Sequence, residues 1–96
     1  MKNGKDIQII KRKISSTLRR NDVKRAAVFG SFATGTSKKN SDIDILVEFR
    51  KPKGLEFVGL KLALEEKLKR KVDLLTYSSI NPYLRKRILE EAVEIL

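Results

Sequence analysis

Residues 29–49 read FGSFATGTSKKNSDIDILVEF. A Gly-Ser pair, Gly30-Ser31, follows an apolar run, and after ten intervening residues Asp42 and Asp44 flank Ile43 at the head of an alternating segment. In extended backbone Ile43, Ile45, Val47 and Phe49 fall on one face, and Asp42, Asp44, Leu46 and Glu48 on the other. The first face needs a covering layer. The second opens with two carboxylates, although Asp is a poor strand former and like charges on one face repel. A strand carrying that cost points to a cation or ligand at the patch.

The rest of the chain is arranged around this strand. Ile7, Ile10, Ile14 and Leu18 recur at spacings of three and four, so a helix is predicted over about Lys5–Arg20, with Lys and Arg on its outer face. VKRAAVFG gives a first strand over about Arg25–Phe29, broken by Gly30. SFATG is one helical turn, with Ser31 as N-cap and Gly35 as stop. After DIDILVEF, Phe57, Leu60, Leu64 and Leu68 set a second long helix over about Leu55–Arg70. KVDLLTY is a third strand. INPYLRKRILEEAVEIL is a last helix running to the end of the sequence, started by Asn81-Pro82, with Leu84, Ile88, Leu89, Ala92 and Val93 as its apolar stripe. The order α-β-turn-β-α-β-α predicts an α/β two-layer fold: a short mixed sheet of about three strands packed with helices, as one domain over 1–96.

Composition narrows the chemistry. With 96 residues there is room for one core and not for two domains. No cysteine and no histidine occur, which excludes disulfides, thiolate metal sites, Ser-His and Cys-His nucleophile pairs and most zinc sites. The 22 basic and 12 acidic residues leave a net charge of +10, which favours anionic partners or simply a well-solvated surface. Abundant Lys and Glu with no Cys hint at a heat-adapted source. No apolar run is long enough to span a bilayer, and the N-terminal residues lack a signal-peptide pattern, so a cytoplasmic protein is expected.

Residues two apart in a strand lie ~7 Å apart and point the same way, so Asp42 and Asp44 share one patch. Asp73, within VDLLTY, joins them if the third strand lies beside the second. Mg2+ is the cation that suits such a patch, being hard and commonly held by one or two carboxylates together with substrate phosphates. Three carboxylates on adjacent strands make a two-ion site, with Asp73 best placed for the second ion and for the proton of an attacking hydroxyl. Gly30 lets backbone approach a phosphate, while Ser31 and the start of the turn offer donors. Each piece alone is common. Their order, spacing and placement on strands together are specific.

The pattern Gly-Ser, ten residues, Asp-x-Asp resembles the signature of the DNA polymerase beta-like nucleotidyltransferases. The small size and the Asp of KVDLLT are similar to the minimal nucleotidyltransferases (MNT), which occur as antitoxins beside HEPN-domain ribonuclease toxins. The resemblance covers nearly the whole chain. It implies transfer of AMP from ATP to a tyrosine of a HEPN toxin, with two Mg2+ ions on Asp42, Asp44 and Asp73 and with the nucleotide phosphates on Gly30 and Ser31. One position departs: the commonest motif reads Gly-Ser-x-Ala-Arg-Gly, and Thr34 stands where the Arg would be. Lys38 and Lys39 are candidates to supply the missing charge.

Two other readings stay open. One is an inert antitoxin that neutralises its toxin by contact alone. Tyr83 and Leu84 on the last helix would be its docking face, although core packing is the plainer expectation for them. The other is a basic nucleic-acid-binding domain, which the absence of aromatic residues interleaved with the basic ones argues against. Self-association stays open too.

Overall fold

The computed structural model describes residues 2–96, with side chains from residue 4 onward. Helix α1 (Lys2–Arg20) leads into β1 (Val23–Phe29), the single turn α2 (Ser31–Thr34), β2 (Ile43–Phe49), α3 (Glu56–Leu68), β3 (Val72–Thr76), a 3-10 turn at Tyr77–Ser79, α4 (Pro82–Glu91) and β4 (Val93–Glu94). The strands form one mixed sheet ordered β3-β2-β1-β4. β1 is antiparallel to β2 and to β4, and β2 is parallel to β3.

The alternation of DIDILVEF sorts two cores onto the two faces of the sheet. On one face Ile43, Ile45 and Val47 join Val28, Val72 and Leu74 under α1 and α3, whose Ile7, Ile10, Ile14, Leu18, Leu60, Leu64 and Leu68 are all buried. The 3–4 spacing of these residues makes them one stripe per helix, and the two stripes close a single core. On the other face Leu46, Ala27 and Phe29 form a smaller cluster with Tyr77, Ile80 and Ile88 of α4. On β2 this cluster holds only Leu46; Asp44, beside Phe29, is half-buried, and Asp42 lies beyond it, exposed.

The C-terminal segment corrects the sequence reading. The last helix ends at Glu91, Ala92 turns to extended backbone, and residues 93–94 pair with β1 as a fourth strand. Ala26 exchanges backbone bonds with the tail as well, Ile95 N donating to Ala26 O at 2.9 Å and Ala26 N to Leu96 O at 3.1 Å. These bonds satisfy an edge of β1 that would otherwise be open, and they place Ile95, 1% exposed, in the main core. The stripe assigned to the last helix accordingly breaks up. Ile88 is buried, while Leu84, Leu89 and Val93 stay exposed. Tyr83 is 96% exposed, so core packing is not its role.

Candidate active site

The parallel register of β2 and β3 sets Asp44 directly beside Asp73, and the antiparallel register of β1 sets Phe29 on Asp44's other side. The next residue, Gly30, leaves the strand at φ 69°, ψ −149°, a region open in practice only to glycine. A Cβ built there would overlap the Asp44 carboxylate. Gly30 is therefore required twice: for its backbone angles, and because its bare Cα lies against Asp44.

Gly30 also caps α2, which corrects the expectation that Ser31 would do so. Ser31 is the first residue of the turn, one place past the cap. The N–H groups of Ser31 and Phe32 open the turn and so have no intrahelical acceptor. Gly35, at φ 78°, closes it in the left-handed region with its N–H donating to Ser31 O.

Thr34 is occupied locally. Its hydroxyl donates to Gly30 O at 3.2 Å and lies 2.9 Å from Thr36 Oγ1. It supplies no charge, but it fastens the turn back onto Gly30. The cation nearest this turn among the described contacts comes from elsewhere. Arg70, at the α3–β3 junction, lays its guanidinium 5.2 Å over the Phe32 ring. The same group donates to Ser41 O at 2.9 Å through Nη2 and 3.2 Å through Nε, to Lys39 O at 2.6 Å and to Lys38 O at 3.3 Å. Arg70 thus ties α2 to the loop that delivers Asp42. Lys38 and Lys39 take part through their carbonyls, and their side chains are exposed.

The three carboxylates are not equivalent. Asp44 is half-buried, whereas Asp42 and Asp73 are exposed. Burial, the Asp73 charge and hydrogen bond, and the Asp42 charge together push the Asp44 carboxyl up to about 6. Asp44 and Asp73 are the close pair, with Asp42 flanking them. Among the described residues no three acidic side chains close into a ready-made metal cage. A pair of adjacent carboxylates suits Mg2+ nonetheless, since that ion takes one or two carboxylates and fills its other positions with water and phosphate oxygens. Beside Asp42 a cavity of about 400 Å³ is walled by Lys39, Lys69, Arg70 and Lys71, a cationic rim for an anionic ligand. A larger cavity, about 680 Å³, lies at the opposite end of β2 and contains none of the three aspartates.

The sequence thus singled out Gly30, Ser31, Asp42, Asp44 and Asp73, and the fold gathers all five at one end of β1, β2 and β3. Arg70 was missed. Its partners lie 29 to 32 residues away in sequence and are backbone carbonyls, which leave no pattern in a sequence.

A fold of this kind, with Gly-Ser at the exit of one strand and Asp-x-Asp at the entry of its neighbour, defines a nucleotidyl-transferring enzyme class. Residues 10–95 match the family model described as "Nucleotidyltransferase domain", and the chain belongs to that family. It is 54% identical over 92 residues to "Putative protein adenylyltransferase MJ0435" of Methanocaldococcus jannaschii, covering 95% of this chain and 99% of the relative. Among solved structures it superposes on one described as a "putative minimal nucleotidyltransferase" with TM-score 0.79 and 34% identity, covering 97% of this chain and 95% of the other. It also superposes on a chain of a toxin–antitoxin complex crystallised with AMP-PNP, with TM-score 0.77 and 28% identity, covering 90% and 72%. The chain is a nucleotidyltransferase of the minimal type.

Proposed function

We propose that this nucleotidyltransferase moves AMP from ATP to a hydroxyl of a partner protein, a tyrosine of a HEPN-domain toxin, and so acts as its antitoxin. The observation that carries the chemistry is the side-by-side register of Asp44 and Asp73 against the bare Cα of Gly30. Support for the acceptor class comes from the adenylyltransferase relative and from the toxin–antitoxin neighbour holding an ATP analogue.

In this reading Asp42 and Asp44 hold Mg2+ and Asp73 completes a second ion's ligand set. The bound metal would neutralise charge on the triphosphate and lower the proton affinity of the acceptor hydroxyl. Gly30 and Ser31 receive phosphate oxygens at the open amides of α2. The cationic rim of Lys39, Lys69, Arg70 and Lys71 faces the departing pyrophosphate. The acceptor oxygen attacks the α-phosphorus, the bond from that phosphorus to the bridging oxygen of pyrophosphate breaks, and the hydroxyl proton passes to Asp73. Asp73, the exposed member of the pair, is the one within reach of an incoming acceptor.

The test is label transfer with a co-purified HEPN toxin. α-Labelled ATP is expected to mark the toxin in the presence of Mg2+, and γ-labelled ATP is expected to leave it unmarked. Label from the γ position would make this a phosphoryl transfer and sink the proposal. Neutralisation of the toxin that persists undiminished in Asp42→Asn/Asp44→Asn would favour the contact-only antitoxin instead.

A further inference from the structure

The face of the sheet that carries Asp44 and Asp73 carries a different set of groups four residues along β2. There Glu48 pairs with Arg25 of β1, about 13 Å from Asp44 at ~3.3 Å per residue. Ile80, Ile88 and Leu46 fill the space between, so the two ends of the face do not merge. This far end opens into the cavity of about 680 Å³, large enough for more than a single small anion. Among the described residues lining it, five are cationic (Arg25, Arg50, Lys51, Lys53 and Arg85) and Glu48 alone is acidic.

Two of the three guanidinium groups are held in place. The Arg25 guanidinium lies 4.0 Å above the Tyr77 ring and 3.5 Å from Glu48. Arg85 donates to Tyr77 O at 2.7 Å. Tyr77 therefore fixes both guanidinium groups as planes in the cavity wall, and the cavity wraps the end of β2 to reach Phe49 and Phe57, which pack edge to face at 6.4 Å against the core on the opposite face. Arg50 and Lys51 extend the positive surface on an exposed loop, and Lys53 is anchored to Asp22 at 3.0 Å. Ordered guanidinium planes along a basic groove are a combination that tracks a phosphate backbone and accepts stacked bases. The carboxylates of an acidic peptide would engage the in-plane edges of the guanidinium groups and leave their faces unused, whereas bases stack on the faces.

We infer that this cleft is a second binding site, for a short stretch of single-stranded nucleic acid. It is separate from the nucleotidyl-transfer site and uses none of its residues. The cleft is drawn from five separated segments of the chain, around residues 25, 47–53, 57, 76–78 and 85.

The experiment is fluorescence anisotropy of a labelled single-stranded RNA octamer with the full chain, titrated with salt. Binding is expected at low salt, with a log–log slope of about −1.5 to −3, corresponding to two to four phosphates at roughly −0.7 each. Arg50→Gln/Lys51→Gln is expected to weaken binding about tenfold at low salt. Lys11→Gln/Lys13→Gln on the exposed face of α1 removes the same charge and is expected to weaken it less than about twofold. Arg50, Lys51, Lys11 and Lys13 are all exposed, so both variants should keep the wild-type melting temperature. Equal losses from the two variants would show that net charge binds the RNA and that the cleft does not. Undetectable binding by the wild type at low salt, or displacement of the RNA by poly-glutamate as readily as by unlabelled RNA, would likewise overturn the assignment.

Discussion

At the scale of single residues the site stores an electrostatic conflict. Asp44 has its proton affinity raised by burial and by two neighbouring carboxylates. A carboxyl whose folded value lies above its unfolded one binds protons more tightly in the native state. Its contribution to stability is full below about pH 4 and is lost as the pH rises through about 6. In metal-free protein Asp44→Asn should therefore be more stable than wild type above pH 6, by about 1 kcal/mol after discounting for the half-exposed carboxylate, and equal to it near pH 3. Melting temperatures across that pH range check this. Added Mg2+ should raise the wild-type melting temperature above pH 6 and leave Asp44→Asn nearly unmoved; an equal rise in both would mean that the metal binds elsewhere. Gly30→Ala should cost about 1–3 kcal/mol from backbone strain alone, with the overlap on Asp44 adding to it. Combining it with Asp44→Ala should recover only the overlap, as denaturant midpoints would show. The paired aspartates and the Gly-Ser turn were legible in the sequence because they break local rules, acids in a strand and a glycine at its exit. Arg70 broke none.

At the scale of elements the helices and three strands follow from periodicity, and each helix covers the face its apolar stripe requires. β4 does not follow. AVEIL continues the spacing of Leu84, Ile88 and Leu89 well enough to read as helix, and only the open edge of β1, more than sixty residues earlier, selects the extended form. Ile95→Ala should cost about 2–4 kcal/mol, the value of a large buried aliphatic side chain, whereas Leu89→Ala on the exposed side of α4 should cost less than about 1. The α3–β3 junction and the loop before β2 form one unit through Arg70. Arg70→Lys keeps the charge but cannot span three carbonyls, so it should release the loop almost as fully as Arg70→Ala. The readout is hydrogen exchange at the Ser41 amide, which donates to Lys38 O in the clamped loop. Faster exchange with KM for ATP raised more than kcat is lowered would mark Arg70 as a positioning residue. Unchanged exchange in Arg70→Ala would remove that role.

At the scale of the whole molecule a single small sheet carries two kinds of chemistry on one face, acidic at the N-terminal end of β2 and basic at the other. The acidic end was legible because its residues lie within two short motifs. The basic end was not, because the residues that build it are scattered and each is unremarkable in its own segment. The net charge of +10 gave the sign of the surface but not where it gathers. The absence of interleaved aromatics in the sequence argued against nucleic acid, yet folding brings Tyr77 under Arg25 from fifty residues away. The central claim concerns the acidic end, that Asp44 and Asp73 with Gly30 form a device for adenylyl transfer to a protein. Intact-mass spectrometry of the partner toxin after incubation with this chain, ATP and Mg2+ addresses it most directly. Whole-number additions of AMP by the wild type, absent with Asp44→Asn and with Asp73→Asn, are the expected result. An unmodified toxin with the wild type, or AMP additions that survive both substitutions, would contradict it.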